Sequence, residues 1–102
     1  MDKALNLIGL MRKANRLSLT EQKCREDIKA GRSCLVLIAS DCSENVRSRI
    51  SDLADRHGIR YFISGYSKND LASAAGSGLC SVISVNDRGF AEALLKILEA
   101  CY

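Results

Sequence analysis

The chain has 102 residues, 47% of them apolar and 26% charged, which suits one compact domain and leaves little for a second. Its longest uninterrupted apolar stretch, Leu35 to Ala39, is far short of the ~20 residues that span a bilayer. The first ten residues lack a charged-then-apolar signal layout, so the expected location is cytosolic and no membrane partner is expected. Five cysteines, odd in number and without a C-x-x-C pair, argue against a disulfide framework and a structural zinc site. Cys24, Cys34, Cys42, Cys80 and Cys101 then read as reduced, mostly packed thiols. With a single His, two Met and no Trp, there is little material for a metal or haem site. Residues 1–32 hold eight Lys or Arg against four Asp or Glu, and residues 33–102 hold seven against eight, so the net charge of +3 is an N-terminal excess. Such an excess is compatible with a polyanion-binding face.

Asp2 can cap a first helix whose Leu5, Ile8 and Met11 share a face, ending near Asn15. Arg16 to Leu19 alternates like a short strand. Ser18 or Thr20 can cap a second helix that carries Cys24 and Ile28 and stops at Gly31. Cys34 to Ala39 is a continuous aliphatic run, expected as a central strand covered on both faces. Asp41 and Glu44 are spaced like a capping box for a helix with Val46, Ile50, Leu53 and Ala54 inward, closed by His57 and Gly58. A second buried strand is expected over Arg60 to Ser64. Ser67 and Asp70 repeat the box before a short helix ending at Gly76; Val82 to Val85 is the fourth strand, and Asp87 opens a last helix through Leu98. Strands alternating with helices predict an α/β fold, a three-layer α-β-α sandwich. Its four-stranded sheet is expected to be largely parallel, made mixed by a short first strand antiparallel at an edge.

Ligands of such sheets gather beyond strand ends and at helix N-termini, which directs attention to the loops around Thr20, Asp41, Gly65 and Gly76. Cys42 stands where a helix N-terminus would activate a thiol, but Arg47 gives C-x4-R and Arg49 C-x6-R, both missing the C-x5-R of a phosphate-wrapping loop. His57 is explained by helix capping. The pairs Asp52/Asp55 and Glu21/Asp27 read as helix surface, and no phosphate-cradling glycine motif is present, so no cofactor is expected. Binding has more material. Arg12, Lys13 and Arg16 cluster at the end of the first helix beside Thr20-Glu21-Gln22-Lys23, with Arg25 one turn on. Cations can meet phosphates there, while Glu21 and Gln22 face base edges.

The run Leu7-Ile8-Gly9-Leu10-Met11-Arg12-Lys13-Ala14-Asn15-Arg16-Leu17, the segment Ile28-Lys29-Ala30-Gly31 leading into Leu35 to Asp41, and Asp87-Arg88-Gly89-Phe90-Ala91 together resemble a known family. It is the kink-turn-binding ribosomal protein superfamily (L-seven-Ae type), in its bacterial YlxQ-like branch, and the likeness covers nearly the whole chain. The resemblance implies a non-enzymatic domain over residues 1–102 that binds structured RNA in association with ribosomes. It places the reader of sheared G·A pairs on Thr20, Glu21, Gln22 and Lys23, and the cover of a flipped-out base on the loop Gly76 to Cys80, with Gly78 and Leu79 at its tip. Thr20 stands where the superfamily has Gly, Lys23 where it has Glu or Gln, and Glu26 where a phosphate-binding Lys is common. The departures at Thr20 and Glu26 keep open an interaction adaptor with little RNA affinity, and the position of Cys42 keeps open a thiol enzyme.

Overall fold

The computed structural model describes residues 2–78 and 80–101 and contains, among them, five helices and four strands. Each helix begins where a short polar side chain can take up free N–H groups. Asp2 accepts from the N–H groups of Ala4 and Leu5 to open α1 (Lys3–Lys13). Thr20 accepts from Lys23 N–H to open α2 (Glu21–Ala30), and Gly31 ends it in the left-handed region at φ 78°. The box of Ser67 and Asp70 opens α4 (Lys68–Ala75). At α5 (Arg88–Cys101) the Asp87 carboxylate accepts from Phe90 N–H.

The start of α3 (Glu44–Arg56) departs from the sequence expectation, because its cap is Ser43, accepting from Val46 N–H, and not Asp41. Asp41 is engaged elsewhere: its Oδ1 accepts from Lys68 N–H at 2.8 Å, at the start of α4. The Asp41/Glu44 box is therefore not formed.

Strands β1 (Leu17–Ser18), β2 (Leu35–Ile38), β3 (Tyr61–Ile63) and β4 (Val82–Val85) form one sheet in the order β1-β4-β2-β3. The sheet is mixed, with β1 antiparallel at one edge as expected, but it is not largely parallel. Only the β2–β3 pairing is parallel; β1, β2 and β3 share one direction, and β4 runs against both its neighbours. The cause lies after α4, where the chain enters the sheet beside the end of β2. Ala39 N–H donates to Ser81 O, and Ile38 faces Val82, so β4 starts where β2 stops and runs back. Insertion of β4 also leaves β3 at the outer edge, half-buried at Tyr61 and Phe62 and exposed at Ile63, rather than buried as expected.

Alternate residues of β2 and β4 point to opposite layers. Leu35, Leu37, Ile83 and Val85 pack with Ile8 and Met11 of α1, Leu71 of α4 and Leu94 and Leu98 of α5. Val36, Ile38 and Val82 pack with Cys24 and Ile28 of α2 and Ile50 of α3. These are the outer layers of the three-layer sandwich.

Towards β1 the second core gives way to a buried polar cluster around Asp27, which the helical pattern of charges had suggested was surface. Asp27 is 3% exposed. Its carboxylate accepts from Ser18 Oγ, from Arg32 Nε at 2.9 Å and from Asn86 Nδ2 at 3.0 Å. Ser84 Oγ, fully buried, lies 2.8 Å from Ser33 Oγ and 2.7 Å from Asn86 Oδ1. Burial alone would raise the Asp27 pKa, but the bonds from Ser18, Arg32 and Asn86 outweigh it and hold the carboxyl below the usual aspartate value. The native state therefore holds fewer protons than the unfolded chain, and this stabilisation is present above the unfolded aspartate pKa of about 3.9 and lost as pH falls through the lower native value. Asp27→Ala should lower unfolding free energy by about 2–3 kcal/mol, the scale for a lost set of hydrogen bonds to a charge. In urea melts, the parent should lose stability between about pH 5 and 3, and Asp27→Asn should lose less over that range.

Candidate nucleic-acid interface

Asn15 is the only described non-glycine residue in the left-handed region, at φ 59°. Asparagine tolerates that conformation. The reversal closes α1, with Arg16 N–H donating to Met11 O, and turns the chain directly into β1. Two residues beyond β1, Thr20 starts α2. The loop after α4 reaches the same corner from the other side, since Cys80 Sγ donates to Leu19 O at 3.7 Å. Together these segments enclose an open cleft of about 460 Å³, lined by Arg12, Asn15, Thr20, Lys23 and Ser77 over a floor of Leu17, Ser18 and Leu19.

The fold thus brings Arg12, Thr20 and Lys23 of the sequence-derived set into one cleft. Gly78, exposed beside Ser77, adjoins it; a Cβ at Gly78 would meet nothing within 4 Å, so the backbone there is open to approach. Leu79 lies outside the described residues. Lys13 faces a different hollow, between α1 and α4, shared with Asp2 and Asp70. Arg16 is exposed but does not line the cleft. Gln22 is exposed, with its Nε2 donating to Glu26 Oε2 at 3.4 Å. Glu21 turns away from the cleft towards α3. Its carboxylate accepts from Arg49 Nε at 2.8 Å and Nη2 at 3.2 Å, and Arg25 lies 3.7 Å away. The Arg49 bond, with the charges of Arg49 and Arg25, holds the Glu21 carboxyl below the usual range against a smaller burial penalty.

Sequence reasoning missed Asn15 and Ser77 as lining residues. The signal at Asn15 was its position at the end of α1, where a left-handed residue is common. Nothing local marks Ser77, whose place depends on the packing of α4.

The likeness to known proteins agrees with the fold. The family model described as "Ribosomal protein L7Ae/L30e/S12e/Gadd45 family" matches residues 2–95. The chain belongs to this family. Similar proteins include the "RNA-binding protein YlxQ" of Enterococcus faecium, 29% identical over 97 residues that cover 95% of this chain and 92% of the relative. The protein of the same name from Bacillus subtilis (strain 168) is 28% identical over 93 residues, covering 91% of this chain and 92% of the relative. Among solved structures, a protein of unknown function from Bacillus halodurans superposes with a TM-score of 0.92 at 26% identity, covering 97% of this chain and 99% of the other. The Giardia lamblia 15.5kD RNA binding protein shares the fold, with a TM-score of 0.78 at 20% identity over 96% of this chain and 86% of that one.

In this member of the family the thiols are placed for packing. Cys24 donates to Ser18 O at 3.3 Å, and burial pushes its thiol up to about 12. Burial likewise pushes Cys80 up to about 11. At Cys42, partly buried against both cores, desolvation raises the thiol against the smaller pull of Lys68 and Arg47, the reverse of what a nucleophile requires. Cys34 is exposed. Among Cys24, Cys34, Cys42 and Cys80, alkylation of the native protein at neutral pH should therefore modify Cys34 first, with Cys42 slower than Cys34. Cys24 and Cys80 should react only after unfolding. Faster modification of Cys42 than of Cys34, read by mass spectrometry, would revive a thiol chemistry.

Proposed function

We propose that this protein is a non-enzymatic, cytosolic RNA-binding domain spanning residues 1–102, and that it recognises kink-turn-like structured RNA in association with ribosomes. The observation that carries the reading is the cleft itself. Arg12 and Lys23 converge there from α1 and α2, around the N-terminal turn of α2 and the loop at Ser77. Two cations and the positive end of a helix facing one open cleft suit a phosphate backbone. The family relatives named as RNA-binding support the same ligand class.

In this reading the residues divide the work. Arg12 and Lys23 contact phosphates within the cleft, and Lys13 and Arg16 add to the field around it without lining it. Gln22, exposed on α2, reads a base edge; its tie to Glu26 limits its rotation. Glu21, with both oxygens bound to Arg49, positions the first turn of α2 rather than contacting a base. Thr20 caps that turn and sets the direction of its free N–H groups.

Titration with a kink-turn RNA, and with the same RNA carrying Watson–Crick pairs in place of its sheared G·A pairs, tests this reading. Binding should be tighter to the intact RNA and should weaken steeply with salt. Gln22→Ala should reduce that preference by roughly tenfold, within the ~1–3 kcal/mol of a base-edge contact. Arg12→Ala with Lys23→Ala should weaken both RNAs alike and lower the log–log salt slope by ~0.7–0.9 per lost phosphate contact. Absence of binding to either RNA at low salt would contradict the proposal and favour an adaptor role.

A further inference from the structure

On the far side of α2 from Lys23, the outer faces of α2 and α3 leave a second open groove, of about 270 Å³, with Leu53 in its floor. Arg25 and Lys29 line it from α2, one helical turn apart, and Arg49 and Arg56 line it from α3, two turns apart. Asp52 is the one carboxylate among the lining residues, and Glu21 closes the N-terminal end of α2 against Arg49 and Arg25. Four cations thus face two carboxylates across a narrow groove. Lys29 and Arg56 make no ion pair with any described residue, although Asp52 is near. Cations set this close together repel one another and add nothing to the fold by themselves, whereas an external anion would relieve the repulsion.

The arrangement also constrains the shape of that anion. The pair Glu21–Arg49 uses the Nε and Nη2 donors of the guanidinium and fixes its plane, leaving Nη1 for another acceptor. Arg56 adds a second fork and Lys29 a point charge further along the groove. Arg49 and Arg56, seven residues apart on α3, start ~10 Å apart along the helix axis, a span that suits successive phosphates of a backbone better than one small anion. Only α2 separates this groove from the cleft, and a helix with its side chains is ~10–12 Å across. An RNA seated in the cleft therefore needs to extend by little more than one helix breadth to reach it.

We propose that the α2–α3 groove is a second, sequence-independent RNA-backbone site that grips the helix flanking the element held in the cleft. The proposal rests on the RNA-binding reading above. It predicts that affinity and salt dependence grow when the flanking helix is lengthened, and that Lys29 and Arg56 supply the gain.

The experiment compares a kink-turn RNA with a short flanking helix and one with that helix extended, titrated at several salt concentrations against the parent and Lys29→Ala/Arg56→Ala. Neither residue lines the cleft, and an unchanged thermal midpoint checks that the variant is folded. The parent should bind the extended RNA more tightly and with a steeper salt slope. The double variant should lose about 3–10-fold on the extended RNA, with its slope reduced by ~1–2. It should keep its preference for G·A pairs, and Lys29→Arg/Arg56→Lys should restore the gain. Equal behaviour of parent and double variant on the extended RNA would overturn the proposal. Equal losses on both RNAs would overturn the flanking-helix assignment, and so would tighter binding of polyglutamate than of duplex RNA by the parent but not the double variant. Failure of the parent to bind either RNA would instead remove the RNA-binding reading and this proposal with it.

Discussion

The seating of α2 beside β1, and with it the α2 side of the cleft, depends on one buried carboxylate. Asp27 joins α2 to β1 through Ser18, to the end of β4 through Asn86 just beyond it, and to the segment after α2 through Arg32. Its backbone carbonyl also accepts from Arg32 and Ser33 N–H, so the end of α2 is tied down by the same residue. A polar cluster in this position is tolerable only when its members are satisfied, and no buried side-chain nitrogen or oxygen among the described residues lacks a partner. Apolar packing of α2 through Cys24 and Ile28 alone would permit small rotations of the helix. The directional bonds at Asp27 fix the rotation, and with it the side of α2 on which Lys23 stands.

From that constraint the charge pattern acquires meaning. Within the basic excess of residues 1–32, α2 sends its own cations to two sides. Lys23 falls on the side facing Arg12 and the loop at Ser77, while Arg25 and Lys29 fall on the side facing α3. Gln22 and Glu26 occupy the exposed crest between them, hydrogen-bonded to one another. A carboxylate at Glu26 disfavours a phosphate on that crest, so a polyanion meeting this helix is drawn to its flanks.

Much of this was legible in the sequence because it depends on local chemistry. Asp2, Thr20, Ser67 with Asp70, and Gly31 act within a turn of their own positions, and the aliphatic run of β2 could be buried only on both faces. The family resemblance over nearly the whole chain agreed with the fold. What was not legible depended on distant partners. Asp41 looked like a cap but is held by Lys68, 27 residues away. Glu21 looked free to face a base but is bound by Arg49, 28 residues away. Asp27 lies on the same face as Cys24 and Ile28, yet its charge argued for solvent until Ser18 and Asn86 were seen to meet it. The direction of β4 was likewise set by where the chain re-enters the sheet, which alternation of helices and strands does not encode.

The central claim is that RNA occupies the cleft between the end of α1, the start of α2 and the loop after α4. Its most direct test is backbone amide NMR of the labelled protein during addition of a kink-turn RNA. The account predicts the largest perturbations at Arg12, Asn15, Thr20, Lys23 and Ser77. Perturbations confined to the opposite end of the sheet, around Gly58, Arg60 and Arg88, where the cavity of about 510 Å³ lies, would contradict it.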